Sequence, residues 1–128
     1  RRQRQMCIRD SRFPEQFKEL AREGAQLIVV PTSWADGPGK LEQWRLLTAA
    51  RALDSTSYIL AAGQSRPGGN AEAGSPSGPT GIGHSTIVDP NGVRVAEAGY
   101  EDEILYADID PQEVAKTRRS LPVLELND

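Results

Sequence analysis

The chain has 128 residues, which is enough for one domain or part of one. A complete domain of that size buries roughly two-thirds of its unfolded surface, enough for a single core. The formal charge of −3 excludes nucleic acid as the main partner, because phosphate binding needs a concentrated basic face. No apolar run approaches the ~20 residues of a membrane span, so no membrane partner is expected. The single cysteine, Cys7, has no intramolecular partner, which points to reducing, cytoplasmic surroundings.

In chain order, residues 1–5 (RRQRQ) show neither helical nor strand periodicity. Phe13, Phe17, Leu20 and Ala21 recur at helical spacing around residues 15–23, and Gly24 is placed to end that helix as its C′ residue. Residues 26–30 are a short apolar run stopped by Pro31, which reads as a buried strand. The Gly/Pro-rich residues 32–39 read as a loop. A helix is expected over residues 40–54, with Leu41, Trp44, Leu47 and Ala50 as its apolar stripe, and a strand over 58–62. Residues 63–83, rich in Gly, Pro and Ser, read as a long surface loop.

Strands are expected over residues 84–88 and 92–97, joined at Asp89-Pro90-Asn91-Gly92, where Asn-Gly supplies positive φ. A further strand is expected over 103–109. The last helix has an N-terminal signature: Asp110 as N-cap, Pro111 at N1 and Glu113 at N3. Arg118 and Arg119 fall near its C-terminal end, where the helix dipole favours cations. Strands alternating with helices early in the chain predict an α/β layered sheet.

Most chemical motifs fail on inspection. Gly37-Pro38-Gly39-Lys40 is followed by Leu41 in place of Ser or Thr, and Pro38 lacks the amide donor that a phosphate cradle uses. Gly81-Ile82-Gly83-His84 lacks the third glycine of a dinucleotide fingerprint. His84 is the only histidine, and Ser85 beside it on a strand would face the other way, so the two make no nucleophile–base pair. One histidine and one cysteine without ligand spacing make no metal site, and no cofactor is expected. Trp34 stands out. It follows a strand, in the place where α/β folds bind ligands, although a tryptophan is as readily a core residue.

Taken together, RFPE at 12–15, GAQLIVVPTSW at 24–34, GPGKLEQWRLLTAARALDSTSYILAAGQ at 37–64, GHSTIVDPNG at 83–92 and ILYADIDPQEVAKTRRSLP at 104–122 resemble the C-terminal portion of a carbon–nitrogen hydrolase of the nitrilase superfamily, in its ω-amidase-like branch. The resemblance covers nearly everything from Arg12 onward. It implies the C-terminal half of a four-layer αββα sandwich, assembled into a homo-oligomer. It also implies hydrolysis of a small amide substrate by a Cys nucleophile working with a Glu base and an oxyanion-binding Lys. The cysteine thiolate attacks the amide carbon, ammonia leaves and water resolves the thioester.

The family pattern places the nucleophile four residues before the Arg of RFPE, as Cys-x-Asp-x-Arg. Counting back from Arg12, Asp10 is in place but the nucleophile position holds Ile8, and Cys7 is one residue early. At a strand end such a slip turns a side chain to the opposite face. Three arginines also stand where the family buries an apolar strand. Residues 1–11 are therefore expected to be a non-native leader resembling translated sequencing-adapter read-through. Residues 12–128 are expected to be a partial hydrolase domain, in which Cys7 is only a nominal nucleophile. The family's Glu and Lys lie upstream of its cysteine, so this isolated chain is expected to be inactive. By position after the strand, Thr32, Ser33 and Trp34 are expected to line the substrate pocket. The competing reading is a non-catalytic homologue acting as an interaction or scaffold module. An expressed start at Arg1 with no reading frame upstream would single it out.

Overall fold

The computed structural model describes residues 14–32, 34, 37–65, 81–101 and 103–125. Helix α1 (Pro14–Arg22) leads to strand β1 (Leu27–Thr32), then α2 (Lys40–Ser55) and β2 (Tyr58–Gly63). Strands β3 (Thr86–Val88) and β4 (Arg94–Glu97), helix α3 (Pro111–Ser120) and a 3₁₀ turn at Val123–Glu125 complete the order. The strands form one four-stranded mixed sheet in the order β1-β2-β3-β4. β1 and β2 are parallel, and β2–β3 and β3–β4 are antiparallel. The expected α/β class is thus what the chain adopts. Among the described residues no helix is long and apolar enough to cross a membrane.

Helix α1 ends as its glycine implies. Gly24, at φ 108°, donates to Ala21 O at 3.0 Å, and Ala25 donates to Leu20 O at 3.1 Å. These two bonds are the Schellman pair that satisfies the last carbonyls of a helix. β1 differs from its reading in two respects. It runs through Pro31 to Thr32, where among the described residues β1 pairs only with β2, and a missing amide costs little on the other side. It is also buried on one face only. Ile28 and Val30 join the core, whereas Leu27 and Val29 are 39% and 52% exposed.

That core gathers Phe17 of α1, Trp44 and Ala52 of α2, Ile59 and Ala61 of β2, and Val88 of β3. The inward face of α2 departs from the expected stripe. Trp44 is buried with Thr48, Arg51, Ala52 and Ser55, while Leu41 and Leu47 are only partly covered. The polar members are tolerated because they bond to their own helix. Thr48 Oγ1 donates to Trp44 O at 2.9 Å, and Ser55 Oγ donates to Arg51 O at 2.7 Å.

At the turn between β3 and β4, Gly92 donates to Asp89 O at 2.9 Å, and Asp89 Oδ1 accepts from Asn91 N and Val93 N. Only Gly92 has positive φ, at 82°; Asn91 does not need it. β4 is shorter than expected and bulged against β3. Arg94 crosses it to donate to Thr48 Oγ1 and Thr86 Oγ1, and burial pushes its pKa below the ordinary value. Beside it, Arg45 forks onto Glu97 at 2.9 and 3.0 Å, and the hydrogen bond to that carboxylate raises the Arg45 pKa.

Helix α3 begins at Asp110, whose Oδ1 accepts from Gln112 N at 3.0 Å. The reciprocal half of the capping box is not made. Glu113 instead accepts from Asn91 Nδ2 at 3.2 Å, and Asp110 N donates to Tyr58 Oη. Arg118 does more than favour the dipole. Its Nη2 donates to Ala25 O at 2.8 Å and to Ser57 Oγ at 2.9 Å, and its Nε donates to Thr56 Oγ1 at 3.2 Å. Thr56 caps α2 at φ 47°, a conformation that a β-branched residue adopts only under constraint. Burial lowers the Arg118 pKa, a cost that these oxygen acceptors offset.

Two stability predictions follow from these contacts. Arg118→Ala is expected to lower unfolding free energy by about 2 kcal/mol, the scale of losing hydrogen bonds to a charged group. Arg118→Lys should recover less than half of that loss, because an ammonium cannot reproduce the fork. Urea denaturation followed by tryptophan fluorescence measures both. Gly92→Ala places a Cβ 2.9 Å from Leu53 Cγ at positive φ, and should shift the urea midpoint downward by about 1–2 kcal/mol equivalent.

Candidate functional site

β1 and β2 end together, with Thr32 opposite Gly63 in the parallel register. The carboxyl ends of parallel strands are where layered α/β sheets gather ligands, since loops diverge there and leave a crevice. Thr32 Oγ1 is buried and has no hydrogen-bond partner among the described residues. One residue separates it from Trp34, which is 4% exposed. The Trp34 indole N–H donates to Lys40 O at 3.0 Å, and its ring lies 5.7 Å from that of Trp44 at a 46° tilt.

Trp44 extends the arrangement to the backbone before β3. It is fully buried, and its Nε1 donates to His84 O at 2.8 Å. Residue 84 is not in a strand, contrary to its sequence reading. It adopts φ 51°, just after Gly83 at φ 68°. The main chain is packed too closely here for a side chain at 83, where a Cβ would lie 2.6 Å from Gly99 O. At Gly63 the same addition would meet Gly83 O at 2.7 Å. Thr32, Gly63, Gly83 and His84 therefore share one rim through backbone contact.

Apart from the Thr32 hydroxyl, the polar side chains along this rim are engaged. His84 Nδ1 is 3.0 Å from Ile82 O, and a carbonyl only accepts, so Nδ1 carries the proton. Its ring meets Tyr100 edge-on, with centroids 4.4 Å apart. Ser85 Oγ accepts from Gly63 N at 2.9 Å. Neither His84 nor Ser85 serves the other as nucleophile and base. The rim presents a buried hydroxyl and main-chain groups held on a rigid aromatic base.

Of the residues expected in the pocket, Thr32 stands at the end of β1 and Trp34, two residues on, lies in the core. Ser33, Cys7 and Ile8 lie outside the described residues. The tie between Trp44 and the His84 carbonyl was not visible in the sequence. The helical stripe marks Trp44 as core, but nothing local marks residue 84 as left-handed.

Residues 5–119 match the carbon–nitrogen hydrolase family. The chain is 53% identical over 118 residues to Hydrolase Rv0480c of Mycobacterium tuberculosis, covering 90% of this chain and 42% of that protein. It is 40% identical over 119 residues to the deaminated glutathione amidase of Escherichia coli O157:H7, covering 93% of this chain and 41% of the relative. Among solved structures, Saccharomyces cerevisiae Nit3, a member of branch 10 of the nitrilase superfamily, superposes with a TM-score of 0.74 at 35% identity. That match covers 91% of this chain and 40% of Nit3. The chain thus spans about two-fifths of the length of the curated relatives it matches. With the family matched along nearly the whole chain and the fold shared with Nit3, the protein belongs to the carbon–nitrogen hydrolases of the nitrilase superfamily.

Proposed function

We propose that these residues form the C-terminal part of an amidase that hydrolyses a small carboxamide through a cysteine thioester. The observation that carries the reading is a family-matched sheet with α1 and α2 packed on one face of β1 and exposed Leu27 and Val29 on the other. An apolar sheet face left in water is what remains when a second layer belongs to the intact fold. The relatives named as amidases support the reaction class.

In the intact enzyme, the end of β1 at Thr32 bounds the amide, with Trp34 packed in the core. A thiolate adds to the carbonyl carbon, the C–N bond breaks and ammonia leaves with a proton. Water then splits the thioester to the carboxylic acid and restores the thiol. The nucleophile must be activated by a neighbouring base, and the tetrahedral oxyanion needs fixed donors. The described rim supplies neither base nor cationic donor, which supports inactivity of the 128-residue chain by itself.

Ile8 at the family's nucleophile position favours the second reading, a non-catalytic homologue serving as an interaction or scaffold module. Sequencing the source DNA across the codons for Arg1–Arg12 and upstream separates the two. The amidase reading expects a continuous frame with Glu and Lys codons upstream and a cysteine four places before Arg12. A genuine start at Arg1, with Ile8 confirmed, would overturn it in favour of the scaffold. A paired prediction concerns the chain as it stands: with succinamic acid, a simple ω-amide, ammonia release should not exceed the rate in buffer. Enzyme-dependent release would refute the inactivity of the isolated chain.

A further inference from the structure

Of the three asparagines in the chain, only Asn91 precedes a glycine. Glycine has no side chain to keep its main-chain nitrogen away from the neighbouring carboxamide carbon, so this pair is prone to cyclise. Asn91 is exposed, yet both nitrogens that cyclisation uses are held. Gly92 N donates to Asp89 O at 2.9 Å. Asn91 Nδ2 donates to Glu113 Oε2 of α3 at 3.2 Å. A carboxylate only accepts, so the nitrogen end of the amide is the end that faces Glu113.

That contact joins the turn between β3 and β4 to the first turn of α3. A second carboxylate serves the same residue from the other direction along the chain, since Asp89 Oδ1 accepts from Asn91 N at 2.9 Å. Asn91 is thus a neutral donor to two acidic side chains, one on each side of a junction between elements. A neutral amide suits that place. A third carboxylate there would face Glu113 with no proton to give and a like charge.

We propose that Asn91 is a deamidation site gated by α3, and that its reaction cuts the tie between the β3–β4 turn and that helix. Once Gly92 N leaves Asp89 O and Nδ2 leaves Glu113, the Gly92 nitrogen attacks Asn91 Cγ. A C–N bond forms, the Cγ–Nδ2 bond breaks, and Nδ2 departs as ammonia with the proton that Gly92 N gives up. Water then opens the succinimide at either carbonyl, to aspartate or to isoaspartate. Aspartate sets its carboxylate against Glu113, and isoaspartate lengthens the main chain within the turn that Asp89 holds. In both products α3 keeps its Tyr58 and Arg118 contacts but loses this one. The inference is independent of the amide hydrolysis proposed above.

The test follows acid formation at residue 91 by peptide mass spectrometry, in the 128-residue chain and in a blocked peptide of residues 87–95, both in mildly alkaline buffer. The chain is expected to react about tenfold to a hundredfold more slowly than the peptide, because two hydrogen bonds must open first. Glu113→Ala should speed the chain's reaction by about threefold to fivefold, the scale of one hydrogen bond. Glu113→Gln, whose amide oxygen still accepts, should leave the rate near that of the unaltered chain. Phe17→Leu, which loosens the core away from this turn, should not change it either. The consequence is read by urea denaturation. Asn91→Asp is expected to lower the midpoint, and to lower it by about half as much or less in the Glu113→Gln background. The proposal is overturned if the chain reacts at the peptide's rate, or more than about a thousandfold slower, which would mean reaction only on global unfolding. It is equally overturned if Phe17→Leu speeds the reaction as much as Glu113→Ala, or if Asn91→Asp costs the same with and without the Glu113 charge.

Discussion

Trp44 is the joint on which the candidate site depends. Its ring is fully buried between α2 and the sheet and lies against Trp34, and its one polar atom serves the carbonyl of His84. Few other side chains combine that apolar area with a single donor at the far end. A smaller apolar residue would open a cavity and also leave the His84 carbonyl without its partner, so two penalties fall together. The joint also sets what may stand above it. Gly63 lies over Trp44 and against Gly83 O, so the end of β2 has no room for a side chain, and the rim beside Thr32 is drawn in main chain.

A second principle governs the opposite end of the sheet, where polar groups are buried but not abandoned. Arg118 gathers the Ala25 carbonyl and the hydroxyls of Thr56 and Ser57, tying α3 to the starts of β1 and β2. Arg94 does comparable work at β4 through Thr48 and Thr86. Burial disfavours the charge on both guanidiniums, and multiple oxygen acceptors make each position tolerable. Arg118 thus clamps the starts of β1 and β2, whereas Arg94 reaches Thr86, which pairs with Ala61 near the end of β2, and Thr48, which bonds Trp44 O.

Where structure is local, it was legible. The Schellman turn at Gly24, the Asp110 cap and the Gly92 turn each rest on a few adjacent residues whose chemistry admits few conformations. The misreadings arise where a distant partner decides. Pro31 would interrupt a strand paired on both sides, and no local pattern says that among the described residues β1 pairs with β2 alone. Thr48, Arg51 and Ser55 look solvent-facing, yet they occupy the inward face of α2 beside the Trp44 joint. Residues 103–109 carry strand chemistry without a paired strand among the described residues, because alternation specifies a backbone shape and not the neighbour that completes it. At the candidate site, the position of Thr32 and Trp34 after a strand was readable, whereas the left-handed backbone at His84 was not.

On the proposed amidase reading, a well-held rim is one part of what the chemistry needs. Thioester hydrolysis needs a nucleophile, a base and an oxyanion donor to converge on one carbon within hydrogen-bond reach. A fold can position each group only through the layer that carries it. Thr32 and the aromatic base beneath it belong to one layer, whose opposite sheet face is open at Leu27 and Val29. Rigidity on one side of a crevice orients a substrate but applies no force to its reacting bond. It is the opposing wall that converts orientation into differential stabilisation of the transition state. On this reasoning the stability of the Trp34–Trp44–His84 assembly and the competence of the enzyme are separable properties. The first rests on contacts among these residues, and the second, on the proposed amidase reading, calls for a nucleophile, a base and an oxyanion donor.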